Sequence, residues 1–211
     1  MTVAREALAK PSLEVAPLLL GAVLVSTVDG AEVAVRLTEV EAYDGLEDPA
    51  SHAYRGQTPR NAVMFGPAGH LYCYFTYGMH WCANVVCGPD GGATAVLLRA
   101  GEVVRGVDTA KARRPAARGL RDLGRGPARL AGCLALDRGA NGLDLCDPAS
   151  PVRLESLGAP SADLVRNGPR VGISVATERP WRFWLDGETS VSAFRVGGRK
   201  RLAGRRQTGI S

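Results

Sequence analysis

Apolar positions along this chain recur mostly at a spacing of two, the rhythm of half-buried strands, and few stretches keep a helical period. Residues 13–20 read as a short helix, with Ser12 as its cap and Glu14 in its first turn. Residues 23–28 and 31–43 alternate as two strands, joined by Asp29-Gly30 as a tight hairpin turn. A Gly-, Pro-, Asp- and Asn-containing stretch over 44–69 predicts a long ordered loop, a format more often functional than not. A second hairpin spans 71–86. Aromatic and β-branched residues favour strand on both of its flanks, and Gly78 supplies its turn. Pro89-Asp90-Gly91-Gly92 predicts another turn before a strand over 93–104. Further on, 126–136 predicts a helix opening on Gly-Pro, 141–148 a turn and short strand, and 171–176 and 181–185 two strands. Residues 150–167 show no clear period. Neither a repeat, nor a low-complexity block, nor an interdomain linker is visible, so the 211 residues predict one domain over 1–211 with mobile ends, the extreme N-terminus and 199–211.

Phase within these strands points to where chemistry concentrates. On the first arm of the second hairpin, Leu71, Cys73 and Phe75 share one face while Tyr72, Tyr74 and Thr76 share the other. The first face suits a core and leaves the tyrosine face free to stack on a ligand. Tyr77 stands where the chain reverses, and an exposed aromatic on a projection is costly unless it binds something. A base stack, into which a side chain can be wedged, is one partner that suits it. In the strand over 33–43, period two puts Val33, Val35, Leu37, Glu39, Glu41 and Tyr43 on one face. An apolar face thus runs into two carboxylates. Burying a carboxylate costs several kcal/mol unless it is paired or used. Either a bulge swings both glutamates into water, or one of them is a general base whose pKa burial holds up. Arg99, at the end of the apolar run 95–98, needs an anionic partner, and Glu41 or Glu39 can supply it.

Composition narrows the field. A hydrophobic share of 45% supports a sizeable core, and the net charge of +5 is compatible with nucleic acid without being diagnostic. Of 26 basic residues only Lys10, Lys111 and Lys200 are lysine. Codon bias explains this arginine excess simply, though arginine also suits phosphates. Eight Lys or Arg fall within 105–129, against Asp108 and Asp122, and the tail from 195 to 206 carries six more. The five cysteines form no C-x-x-C, which argues against a disulfide framework or zinc knuckle and fits a reducing, cytoplasmic setting. No stretch is long enough to span a membrane. The apolar run over 16–25 lacks signal-peptide flanks and reads as helix running into strand.

All five Tyr and all three His lie between Tyr43 and Trp81. A Tyr-rich core would account for part of this, yet His52 and Tyr54 fall in the loop and Tyr77 on a turn. No lysine lies between Pro11 and Ala110, so a Schiff-base nucleophile is excluded from this region and β-lyase chemistry is disfavoured. The zinc deaminase signature, the phosphate-binding loop and the dinucleotide fingerprint are all absent. His52, His70 and His80 have no metal-ligand spacing. Neither a metal nor a nucleotide cofactor is expected.

At Glu41-Ala42-Tyr43, Gln57-Thr58-Pro59-Arg60-Asn61, Tyr77-Gly78-Met79, Asn84 and Leu97-Leu98-Arg99-Ala100 the chain resembles the alkyladenine (3-methyladenine) DNA glycosylase family. The match is densest over 37–104 and continues through Gly126-Pro127, Arg170-Val171-Gly172 and 180–184. The resemblance implies a single mixed α/β (α+β) domain around a curved antiparallel sheet flanked by helices, with a protruding hairpin. It implies base-excision repair of duplex DNA, with Tyr77 wedged into the minor groove in place of an extruded nucleotide. The flipped base would lie between Tyr43 on one side and His52 with Tyr74 on the other. Asn84 would crowd the 2-amino group of guanine. Glu41 would activate a water for attack at C1′, with Arg99 orienting the water and carboxylate. The expected enzyme is a monofunctional, monomeric, nucleoid-associated hydrolase acting on 3-methyladenine, 7-methylguanine, hypoxanthine or ethenoadenine. Two other readings stay open: a non-catalytic nucleic-acid binder using the same hairpin, and a nucleoside hydrolase.

Overall fold

Two twelve-residue strands, β2 (Val33–Asp44) and β5 (Thr94–Arg105), pair antiparallel along their length and form the spine of the molecule. The computed structural model describes residues 2–76, 78–158 and 160–197. Around the spine lie β1 (Val23–Ser26), β3 (Leu71–Thr76), β4 (His80–Cys87) and β6 (Val152–Ser156), in the order β3-β4-β5-β2-β1-β6. A second hairpin-like pair, β7 (Val165–Gly168) and β8 (Arg182–Leu185), joins the same sheet through β8, which pairs with Glu39–Glu41 of β2. Every pairing is antiparallel and the sheet is open, so the expected mixed α/β class is what the chain adopts.

The helices are short: α1 (Arg5–Leu8), α2 (Ser12–Leu19), α3 (Val107–Arg113) and α4 (Pro127–Cys133). Pro127 at the first position of α4 needs no amide partner and is preset for the helix. Leu19, Leu130 and Leu134 join Leu24, Val35, Leu37, Leu71, Val85 and Leu98 in the main core. A smaller cluster on the opposite side of the sheet combines Tyr72, Val86 and Ala95 with Ala53 and Met64 of the long loop. From Val3 on the N-terminal residues are anchored, Val3 through its amide to Leu154 O and Arg5 through Ala68 O and Asp144.

The decisive irregularity lies in β2. Its register against β5 shifts on both sides of Glu39, and core membership passes from Val33, Val35 and Leu37 to Val40 and Ala42. The uninterrupted alternation read from the sequence is therefore corrected. The bulge moves Glu39, Glu41 and Tyr43 to the face opposite the main core, but the two glutamates do not reach water, since both are 0% exposed. Gly101 faces Leu37 here, and a Cβ on it would meet Val35 Cγ1 at 2.3 Å and Arg36 O at 2.6 Å.

Other expectations need correction. Ser12 is the first helical residue and caps nothing; its hydroxyl is buried without a partner. The β1–β2 turn is a six-residue loop, because Ser26 pairs with Val33. Residues 171–176 form no strand: Val171 N is drawn to the Glu41 carboxylate and Gly172 N to Arg195 O. Over 141–148 only an isolated bridge, His70 to Asp144, takes the place of a strand. The unplaced segment 150–167 supplies β6 and β7.

Candidate active site

Glu41 sits at the middle of the shifted half of β2, opposite Leu97 of β5 and beside Arg182 of β8. Its Oε1 accepts a hydrogen bond from Val171 N at 2.7 Å and lies 3.3 Å from Arg99 Nη1. Its Oε2 accepts from the Tyr43 hydroxyl at 2.9 Å. Burial raises the Glu41 pKa above the usual carboxylate value, against the pull of Arg99, the Val171 amide and Tyr43. Burial likewise holds the Tyr43 phenol well above its ordinary value, so it is a donor to Glu41 at neutral pH.

Glu39, two residues earlier, is held quite differently. Its Oε1 accepts from Arg99 Nε at 2.8 Å, Arg182 Nε at 2.7 Å and the Ser192 hydroxyl at 2.9 Å, while Oε2 accepts from Ser192 N at 2.6 Å. Arg182, Glu39, Arg99 and Glu41 thus form a buried line of alternating charge. Arg99 meets both expected partners.

Over Glu41 opens a cavity of about 480 Å³. Tyr43, Arg99 and Val171, the three groups that hold Glu41, all line it. An aromatic cluster also lines it: Tyr74 packs edge-on to His52 at 4.4 Å between centroids and stacks on Tyr72 at 5.6 Å. His52 Nδ1 lies 3.2 Å from the Tyr72 hydroxyl, and burial followed by the charge of Arg60 lowers the His52 pKa, favouring a neutral ring. Asn61 organises the loop that carries His52, donating to His52 O and Gly56 O and accepting from Thr58. Asn84 lies in the cavity wall, 5% exposed, its amide donating to Tyr72 O at 3.0 Å. The remaining wall comes from Arg125–Arg129 and Val171–Ile173. Arg125 bridges to Ala100, an approach that glycine permits, since a Cβ on Gly124 would lie 2.6 Å from Gly101 O.

Glu41, Arg99, Tyr43, His52, Tyr74 and Asn84 are therefore brought together around one cavity. Tyr77 lies outside the described residues. Its neighbours Thr76 and His80 pair across the hairpin, and Gly78 has φ +66°, the left-handed turn expected. Tyr72, which strand phase put on the same ligand-facing side as Tyr74, also lines the cavity. The sequence reading missed the parts played by Asp48, Arg170 and Ser192, which no local pattern connects to β2. Among the described residues, no three His, Cys, Asp or Glu gather closely enough to hold a metal ion, and no helix is long and apolar enough to cross a membrane.

A buried carboxylate with a raised pKa, set behind a ring-lined cavity on an open antiparallel sheet, is the arrangement of an enzyme that takes in a flat group. Comparison with known proteins narrows it. Residues 6–189 match the family model for methylpurine-DNA glycosylase. Relatives from Streptomyces avermitilis, Nocardia farcinica and Frankia casuarinae are each 55% identical over 91%, 82% and 88% of this chain, and over 91%, 84% and 90% of their own lengths. Each bears the name "Putative 3-methyladenine DNA glycosylase". The chain belongs to the methylpurine-DNA glycosylase family.

Proposed function

We propose that this protein removes damaged purines from duplex DNA by flipping them into the cavity and hydrolysing the N-glycosidic bond with water activated at Glu41. The observation that carries this reading is the buried Glu41, with its raised pKa, set directly behind the cavity wall formed by Tyr43, Arg99 and Val171. Flipping costs a few kcal/mol, least for damaged pairs, and stacking on an aromatic returns about 1–3 kcal/mol per base. Tyr43 on one side and His52 with Tyr74 on the other supply that stacking. Tyr77 fills the space left in the duplex. Asn84 narrows the cavity against the 2-amino group of guanine.

As the glycosidic bond breaks, the sugar becomes oxocarbenium-like. The Glu41 carboxylate stabilises that charge and takes a proton from the water, while Arg99 orients both. An alkylated purine is already a good leaving group, so one carboxylate suffices. None of the residues lining the cavity is a lysine, which supports simple hydrolysis without strand cleavage. The substrates in this reading are 3-methyladenine, 7-methylguanine, hypoxanthine and ethenoadenine, handled by a cofactor-free monomer with residues 1–211 as one catalytic domain. The backbone phosphates meet a basic hollow beside the cavity, lined by Arg118, Arg121, Arg125, Arg129 and Arg195.

The test is base release from duplexes that each carry one of these lesions. Wild type should release at least one base, and Glu41→Gln should release none while binding lesion DNA within a few fold of wild type. Equal release by the variant removes Glu41 from the mechanism. Faster hydrolysis of free nucleosides than of duplex DNA would assign a nucleoside hydrolase instead.

A further inference from the structure

Behind the Tyr43 wall lies a buried ion pair that the hydrolytic steps do not use. Arg170, 2% exposed, donates through both terminal nitrogens to Asp48, which is 0% exposed, with Nη2 to Oδ1 at 2.8 Å. Nη1 also donates to Ala42 O at 3.0 Å, on the residue between Glu41 and Tyr43. The guanidinium lies between two rings, 4.6 Å from the Tyr43 centroid and 5.1 Å from that of Trp181. Arg179 also packs on Trp181, at 4.5 Å from its centroid. The residue after Arg170 is Val171, whose amide donates to Glu41. Arg170 Nε has no hydrogen-bond partner. A buried pair with an orphan donor is a poor source of stability, since well-packed apolar replacements are often neutral or better. Its contacts instead converge on one carboxylate.

We infer that the Asp48–Arg170 pair is a positioning unit for Glu41, holding at once the Tyr43 phenol and the Val171 amide that fix the Glu41 carboxylate. This rests on Glu41 being the base of the glycosylase reaction. Arg170 holds the Tyr43 ring from behind, while the cavity lies in front of it. A shift of Arg170 therefore moves both neutral donors on Glu41 together. It also withdraws a cation that favours the ionised carboxylate. The other charged or titratable groups facing Glu41 are Glu39 and Tyr43 on its own strand, Arg99 on β5, Tyr74 and Cys82 on β3 and β4, and Arg182 on β8. Of these groups, Tyr43 is the one that packs on Arg170, and it is the one that the replacement moves.

The experiment is single-turnover base release across pH by the paired variant Arg170→Met with Asp48→Leu, alongside Trp181→Leu. Trp181→Leu keeps both members of the buried ion pair and removes the outer ring that packs on Arg170 and Arg179. Misplacing a reacting group by about 1 Å can cost about 100-fold, and the paired variant should lose on that order at neutral pH. Its acidic limb should move up by about one pH unit. Trp181→Leu should move rate and limb in the same direction by less, and both variants should keep lesion-duplex affinity within a few fold. A folded variant of either kind whose limb stays at the wild-type pH overturns the inference, because a merely structural role lowers Tm without moving the titration of the folded enzyme. Absence of base release by wild type on every lesion would overturn the glycosylase reading itself.

Discussion

At the scale of single residues, two glutamates on one strand have been given opposite environments. Glu39 is neutralised by two arginines and Ser192, whereas Glu41 has one guanidinium at 3.3 Å and two neutral donors. Burial then raises the Glu41 pKa, the condition for a base that works near neutrality. Release should accordingly increase as pH rises through a value above the ordinary glutamate range, measured by single-turnover rate. A rate already maximal at about pH 4, near the reference value for glutamate, would contradict this. Glu39→Gln leaves two buried cations short of an anion. It should cost about 3–5 kcal/mol, a Tm loss of about 6–20 °C for a domain of this size. Asp48 is the converse case. Burial opposes its charge, but the Arg170 guanidinium wins and holds its pKa below the usual value. The stability it contributes is therefore present above the unfolded pKa and is lost as pH falls through the lower folded one. The Tm gap between wild type and Asp48→Asn should close in acid, which thermal melts between neutrality and about pH 3 would check, bracketing the unfolded value near 3.9.

At the scale of elements, the site depends on the exchange of faces in β2. Without it, strict alternation would put Glu39 and Glu41 into the main core with Leu37. Gly101 allows β5 to follow β2 through this exchange and also receives Gly124, whose oxygen accepts from Gly101 N at 3.1 Å. Gly101→Ala should thus cost about 1–3 kcal/mol by overpacking, with a lower Tm and a matching loss of base release. Alternation, aromatic content and Gly78 were enough to place β3, β4 and the long loop. They did not place the exchange, because a bulge is set by the neighbouring strands and leaves little trace in the pattern of one strand. The expected strand over 171–176 failed for a related reason: its amides bond to a carboxylate and to the C-terminal segment instead of to a strand. That Glu41, Arg99, Tyr43, His52, Tyr74 and Asn84 gather at one cavity was legible from their chemistry and the family motifs. Asp48, Arg170 and Ser192 were not, since 122 residues separate the partners of the Asp48–Arg170 pair and 153 those of Glu39 and Ser192.

At the scale of the whole molecule, several of the described arginines are already committed to acidic partners. Arg105 pairs with Glu32 and Glu155, Arg113 with Asp29 and Arg129 with Asp122. Arg118 and Arg121 have no acidic partner among the described residues, are exposed, and line the basic hollow beside the cavity. They are the residues expected to release counterions from DNA. Replacing both by Gln should reduce the slope of log affinity against log salt by about 2, while single-turnover release at saturating enzyme stays near wild type. An unchanged slope would move the phosphate contacts elsewhere.

The sequence by itself determined that this chain builds an antiparallel α/β domain with a carboxylate, an arginine and a local tyrosine cluster suited to base chemistry, because alternation and side-chain type are local properties. Only the tertiary structure decided which glutamate carries the raised pKa and what holds it. Burial, ion pairing and the bulge in β2 arise from strands and loops far apart in the chain, and those contacts exist only once the sheet has assembled.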